Sequence, residues 1–99
     1  MESNITDRTI QKITKAVSRV TGISPDDMIS KCRKPPFVFA RILLSHNLYS
    51  LGLSTRLVAI YIARDRTTCI YLLRKYNDEY QTNKQFRAMA DRVKELINS

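Results

Sequence analysis

Arg64-Asp65-Arg66-Thr67-Thr68 is the stretch on which the reading of this chain turns. It follows the apolar run Leu57-Val58-Ala59-Ile60-Tyr61 and opens a second amphipathic segment. Asp65 suits an N-cap, because its carboxylate can accept hydrogen bonds from the free N–H groups of a first helical turn. Arg66, Thr67 and Thr68 then fall in that first turn, where side chains of a recognition helix meet base edges in a major groove. Two arginines flank the single acid, so the helix start presents hydrogen-bonding groups inside a positive field. The layout reads as the second half of a helix-turn-helix. An ordinary capped helix with a polar start would give the same five residues, so the surrounding charge has to weigh in.

The chain carries 17 Lys+Arg against 9 Asp+Glu, a formal net charge of +8. From Lys31 to Lys75 the basic residues are Lys31, Arg33, Lys34, Arg41, Arg56, Arg64, Arg66, Arg74 and Lys75, against one acid, Asp65. That block alone nets +8, and the charges outside it cancel. Charge confined to one block that contains the candidate recognition helix is the footprint of a polyanion partner. A solvated basic face is the alternative.

The 99 residues fit one domain, spanning 1–99, near the lower end of common domain sizes. With 43% hydrophobic residues the chain can bury a modest core. Punctuation is sparse: Gly22, Gly52, Pro25, Pro35 and Pro36, which favours helices over a many-stranded sandwich. Cys32 and Cys69 stand apart with a single His46, neither a zinc framework nor a disulfide scaffold, so reduced thiols in cytoplasm are expected. The longest apolar run, Leu57 to Ala63, is far too short to span a bilayer, and Met1-Glu2-Ser3-Asn4 has no signal-peptide core. A cytoplasmic protein with no membrane partner is the expectation.

Helix signals recur along the chain. Ile10, Ile13, Val17 and Val20 repeat at three- and four-residue spacing and stop at Gly22. Ser24-Pro25-Asp26-Asp27 supplies an N-cap, a proline at N1 and first-turn acids for a short second helix ending before Lys34-Pro35-Pro36. Phe37, Ala40, Leu44 and Leu48 mark a third helix, ended by Gly52. Ser54 caps a fourth; Asp65 caps a fifth, with Cys69, Leu72, Leu73, Tyr76 and Tyr80 on its inner face. Asn83 begins a sixth, with Phe86, Met89, Ala90, Val93 and Ile97 facing inward. Val58-Ala59-Ile60-Tyr61-Ile62 has strand propensity, but capping residues bracket it and it has no partner strand, so it is read as helical. The fold class is all-α: a small multi-helix domain with a helix-turn-helix.

Ile5-Thr6 with Ile10-Gln11-Lys12, Gly22-Ile23-Ser24, Ser30-Lys31-Cys32-Arg33-Lys34 and Arg64-Asp65-Arg66-Thr67-Thr68 together resemble the C-terminal DNA-binding domain (domain IV) of bacterial DnaA replication initiators. The similarity runs from about Ile5 to the end, with a short deletion near Tyr49 to Gly52. Its specific part is the Arg-Asp-x-Thr-Thr motif opening a helix. The resemblance implies a Trp-repressor-like arrangement, with the helix after Asp65 in a major groove and an arginine of the basic loop in the adjacent minor groove. Asp65, Thr67 and Thr68 would sit at base edges or nearby phosphates. Arg33 matches the minor-groove arginine, and Arg41 matches an arginine at the start of the following helix that contacts the DNA. Lys31 and Lys34 lie in the same loop, where phosphate contacts position a protein without specifying sequence. With Arg56, Arg64 and Arg66 from the basic block, these are the candidate DNA-binding residues, and double-stranded DNA is the expected partner.

The departures from the family pattern are informative too. Arg66 stands where the family has histidine, and arginine forks onto guanine O6/N7 whereas the family's histidine meets thymine. Ile62-Ala63 replaces a glycine pair, so a positive φ there would strain Ile62. Ile42 replaces a polar residue beside Arg41, and Ser54-Thr55 replaces a Leu-Pro pair that packs on thymine methyls. Full initiators also carry an ATPase domain, whose P-loop needs glycines ahead of Lys-Ser/Thr. No such loop occurs in this sequence, so an excised domain or a stand-alone transcription or mobile-element regulator is expected, with Met1 favouring the latter. Nothing points to an enzyme, a cofactor, a metal or a small-molecule substrate: His46 has no nucleophile or carboxylate motif beside it, and Cys69 falls at a core-facing position. The tyrosines follow helical spacing more than a base-stacking platform, which favours duplex DNA over single strands. The alternative from another class is a protein-interaction module using the helix near Lys84.

Overall fold

The computed structural model describes residues 7–99; Ile5-Thr6, which carry part of the resemblance, lie outside them. Six helices follow in order: α1 (Asp7–Thr21), α2 (Pro25–Met28), α3 (Pro35–Leu51), α4 (Thr55–Tyr61), α5 (Arg66–Thr82) and α6 (Lys84–Asn98). No strand occurs among the described residues, and no helix there is long and apolar enough to cross a membrane.

Local chemistry sets most of the boundaries. Gly22 ends α1 at φ +75°, its N–H donating to the Ser18 carbonyl at 2.8 Å. Side-chain oxygens cap four helices: Ser24 accepts from Asp27 N, Ser54 from Leu57 N, Asp65 from Thr68 N and Asn83 from Phe86 N. Each satisfies an N–H that the first turn leaves without a backbone partner. Pro35 and Pro36 open α3, where their missing N–H groups cost nothing. The β-branched run after Leu57 stays helical, since capping and packing outweigh strand propensity.

The central element is α3, which packs against all five other helices. Every side chain from Ala40 to Ser45 is therefore buried, and the stripe expected from Phe37, Ala40, Leu44 and Leu48 was too narrow. Phe37 is only half-buried, while Ile42 and Leu43 lie in the core. Ile42 at the family's polar position is thus a packing residue. Far from α2, Phe86 is fully buried, with the rings of Phe39 and Tyr76 edge-on to it at centroid distances of 5.6 Å.

The helix-turn-helix is α4, the turn at 62–65 and α5. Here one expectation needs correcting. The positive φ falls on Ala63, at +56°, whereas Ile62 sits at −93° and is fully buried. The Arg64 N–H reaches back to the Ala59 carbonyl at 3.0 Å and the Ala63 N–H to Ile60 at 3.1 Å. This closes α4 with a left-handed residue of the kind usually filled by glycine. Strain is therefore carried by Ala63, which is exposed, and the core residue beside it is relaxed.

Candidate nucleic-acid interface

Asp65 is exposed, and its Oδ1 accepts from the Thr68 amide at 2.7 Å. That hydrogen bond, followed by one with the Thr68 side chain, holds the Asp65 carboxyl below its ordinary range. The one acid of the basic block is thereby committed to capping α5. Arg66 and Thr67 follow it, both exposed, and Thr68 is half-buried. The Arg66 Nε donates to Thr55 Oγ1 at 3.1 Å, which leaves its two terminal nitrogens for an outside partner. Two departures from the family pattern, Arg66 and Thr55, thus touch each other.

Lys31, Arg33 and Lys34 project from the loop between α2 and α3, all exposed, and Arg56 is exposed on the first turn of α4. Between this loop and the start of α5 runs an open groove of about 530 Å³. Lys31, Arg33, Arg41, Arg64, Thr68 and Tyr71 supply its polar lining, and among the described residues no carboxylate lines it. A concave surface with cations on both walls concentrates positive potential and attracts an anionic backbone. Tyr71, 57% exposed, is not among the residues the sequence singles out for DNA contact. Its position one turn beyond Thr67 is the signal that would have placed it on the outer face.

Arg41 differs from its basic neighbours. It lines the groove but is only 4% exposed, with its donors directed inward. Its Nε donates to the Met28 carbonyl at 2.6 Å, and its Nη2 donates to the carbonyls of Ser30 and Cys32 at 2.5 and 2.6 Å. Burial, and after it the charge of Arg64, push the Arg41 guanidinium below its ordinary value. A buried cation is tolerable when its donors are matched, and a hydrogen bond to a charged group contributes roughly 1.5–3 kcal/mol. Arg64 is half-buried and also turned inward. Its Nη1 donates to Ala63 at 2.9 Å and to Ile29 at 3.3 Å, and its Nη2 donates to Ser30.

Fold, charge and helix start come from one continuous stretch of sequence. A family model of the bacterial dnaA protein helix-turn-helix matches residues 10–76, well over half of the chain. The chain belongs to this family. The match covers α1 from Ile10, then α2 to α4 with the basic loop, the turn and the first two-thirds of α5, leaving α6 outside it. DnaA-type helix-turn-helix domains are non-catalytic and bind DNA. No curated protein matches the chain.

Proposed function

We propose that this DnaA-type domain binds double-stranded DNA in a sequence-specific manner. The start of α5 enters a major groove, and Arg33 of the basic loop reaches the adjacent minor groove. The observation that carries this reading is the groove between them, cationic on both walls and free of carboxylates among the described residues. Lys31, Lys34 and Arg56 are placed for phosphate contacts, which fix register, whereas Arg66 and Thr67 are placed for base edges. Thr68 divides its side chain between the Asp65 cap and the groove wall. Arg66 in place of histidine gives this domain a site different from its family's. A regulator of transcription or of a mobile element fits such an altered site as well as replication does.

Binding should weaken steeply with salt. Each neutralised phosphate contributes about −0.9 to the log–log slope, so six contacts give roughly −5. A duplex should compete better than the matching single strands. Salt-independent affinity, or no preference for the duplex, would overturn the reading. Near Lys84 the exposed side chains of α6 are mainly polar, Lys84, Gln85 and Arg87 among them. The exposed apolar side chains Leu57, Ile60 and Tyr61 share one face of α4 instead.

A further inference from the structure

Seven internal donor contacts from two guanidinium groups converge on one short piece of backbone and its neighbouring turn. The carbonyls of Met28, Ser30 and Cys32 accept from Arg41; those of Ile29, Ser30, Ile62 and Ala63 accept from Arg64. Ser30 is the shared point. Its carbonyl receives one nitrogen from α3 and one from the turn that precedes the recognition helix.

We propose that Arg41 and Arg64 are positioning residues: together they lock the basic loop to the helix-turn-helix, so that Arg33 and the first turn of α5 meet one duplex at a preset spacing. This rests on the DNA-binding reading above. Three observations support it. First, the loop has little structure of its own. It follows a helix of four residues, too short to hold itself, and its local hydrogen bonds lie at its two ends, from Ile29 and Ser30 to the Asp27 carbonyl and from Phe37 and Val38 to the Lys34 carbonyl, with the Cys32 N–H to Ser30 Oγ at 3.3 Å between them. Second, the loop and the turn lie 34 residues apart in sequence, so the Arg64–Ser30 link joins two elements the chain itself does not tie together. Third, the job calls for arginine. Planar guanidinium donors on different edges reach carbonyls that a single ammonium cannot serve together.

Two like charges are brought together at this point, with carbonyl dipoles as their compensation. That arrangement is tolerable beside an anionic backbone and unfavourable beside a neutral partner. It also explains why both residues sit at the groove wall while directing their donors inward.

The test uses Arg41→Lys and Arg64→Lys, which retain charge and lose the fork, each in the Arg33 and the Arg33→Ala background. Affinities for one duplex selected by the wild-type protein are measured well below every unfolding temperature. Each lysine variant should lose about tenfold in affinity, as for residues that act through one hydrogen-bond network. In the Arg33→Ala background the same replacement should cost less than about twofold, because the loop no longer delivers its arm. Amide exchange in the free protein should quicken at residues 29–33 and stay unchanged in α3 and α5. Full affinity in Arg41→Lys, equal losses in both backgrounds, or an unaltered loop would overturn the positioning role while leaving DNA binding intact. A wild-type protein that binds no duplex would instead overturn the functional reading, and this role with it.

Discussion

At its N-terminal end α5 turns Arg66, Thr67 and Tyr71 to solvent beside a groove lined by cations, whereas towards its other end it is held to its neighbours through Tyr76 and Tyr80. There Tyr76 is buried, edge-on to Phe86 and stacked on His46 with ring centroids 3.5 Å apart. The Tyr80 hydroxyl donates to Asp91 Oδ1 at 2.6 Å, and Arg87 donates to the Tyr80 and Gln81 carbonyls at the helix end. One helix thus has an end that is held and an end that is offered. Helices on a surface are stabilised mainly by packing of their inner face, so the held end can keep the offered end in place without spending its polar groups. Substitutions at the two ends should therefore separate stability from recognition.

The largest effect is expected at the held end. Phe86→Ala removes a fully buried ring touched by two others and should cost about 3–5 kcal/mol of stability, measured by denaturant unfolding. Affinity for DNA, measured on protein that remains folded, should stay within about twofold of the original, as for sites that share no partners. A large loss of affinity in the folded variant would show that the two ends are one unit.

Recognition is next in size. Arg66→His should move the preference at one base pair from guanine towards thymine, with discrimination of roughly 1–3 kcal/mol at that position alone. Thr55→Val removes the acceptor of the Arg66 Nε and should blur that same base pair while sparing the others. Parallel selections from a random duplex pool read out both. If Arg66 instead holds a phosphate, Arg66→His will weaken all sequences evenly and flatten the salt slope by about one unit.

The offered end was legible in the sequence because its signals are local. A cap, a charge run and a helix start lie within a few residues of each other, and all four side-chain caps could be placed from residue type alone. What stayed hidden depends on partners distant in the chain. Arg41 is an arginine like its neighbours until α3 is known to be covered on every side, and only then does its burial follow. Arg64 turns inward for the same reason: its acceptors at Ile29 and Ser30 are remote in sequence. Tyr71 was hidden for a related reason: helical spacing leaves it off the inner face of α5 but does not say that it lines the groove. The charge count hid something as well. Outside the basic block charges cancel overall, yet Arg8, Lys12, Lys15 and Arg19 all lie exposed on α1, with Asp7 the only acid in that helix.

A smaller effect should come from Ser45, fully buried in α3 with no partner for its hydroxyl. A buried unsatisfied polar group costs about 1–3 kcal/mol, so Ser45→Ala should raise stability by about 1 kcal/mol once the lost packing is set against it. Denaturant midpoints check this, with the slope expected to stay constant. A destabilised Ser45→Ala would mean that the hydroxyl is satisfied in solution.

The smallest effect is expected at Ala63, where the two ends of the comparison meet. Its φ of +56° lies in the left-handed region, which costs an L-residue roughly 1–2 kcal/mol. Glycine removes that cost but gives the unfolded chain more freedom, worth roughly 0.4–1 kcal/mol in the opposite direction. Ala63→Gly should therefore stabilise by less than about 1 kcal/mol, or a few degrees in Tm for a domain of this size. The turn already has the backbone shape that glycine prefers, and its hydrogen bonds from Ala63 and Arg64 back to α4 need no rearrangement. DNA affinity should consequently stay the same, because the angle between α4 and α5 does not change. A stabilised variant with weakened binding would carry the sharper lesson. It would mean that the strained alanine holds the turn, and Arg64 with it, against the basic loop more firmly than a relaxed glycine does, and that the offered end depends on backbone strain as well as on packing.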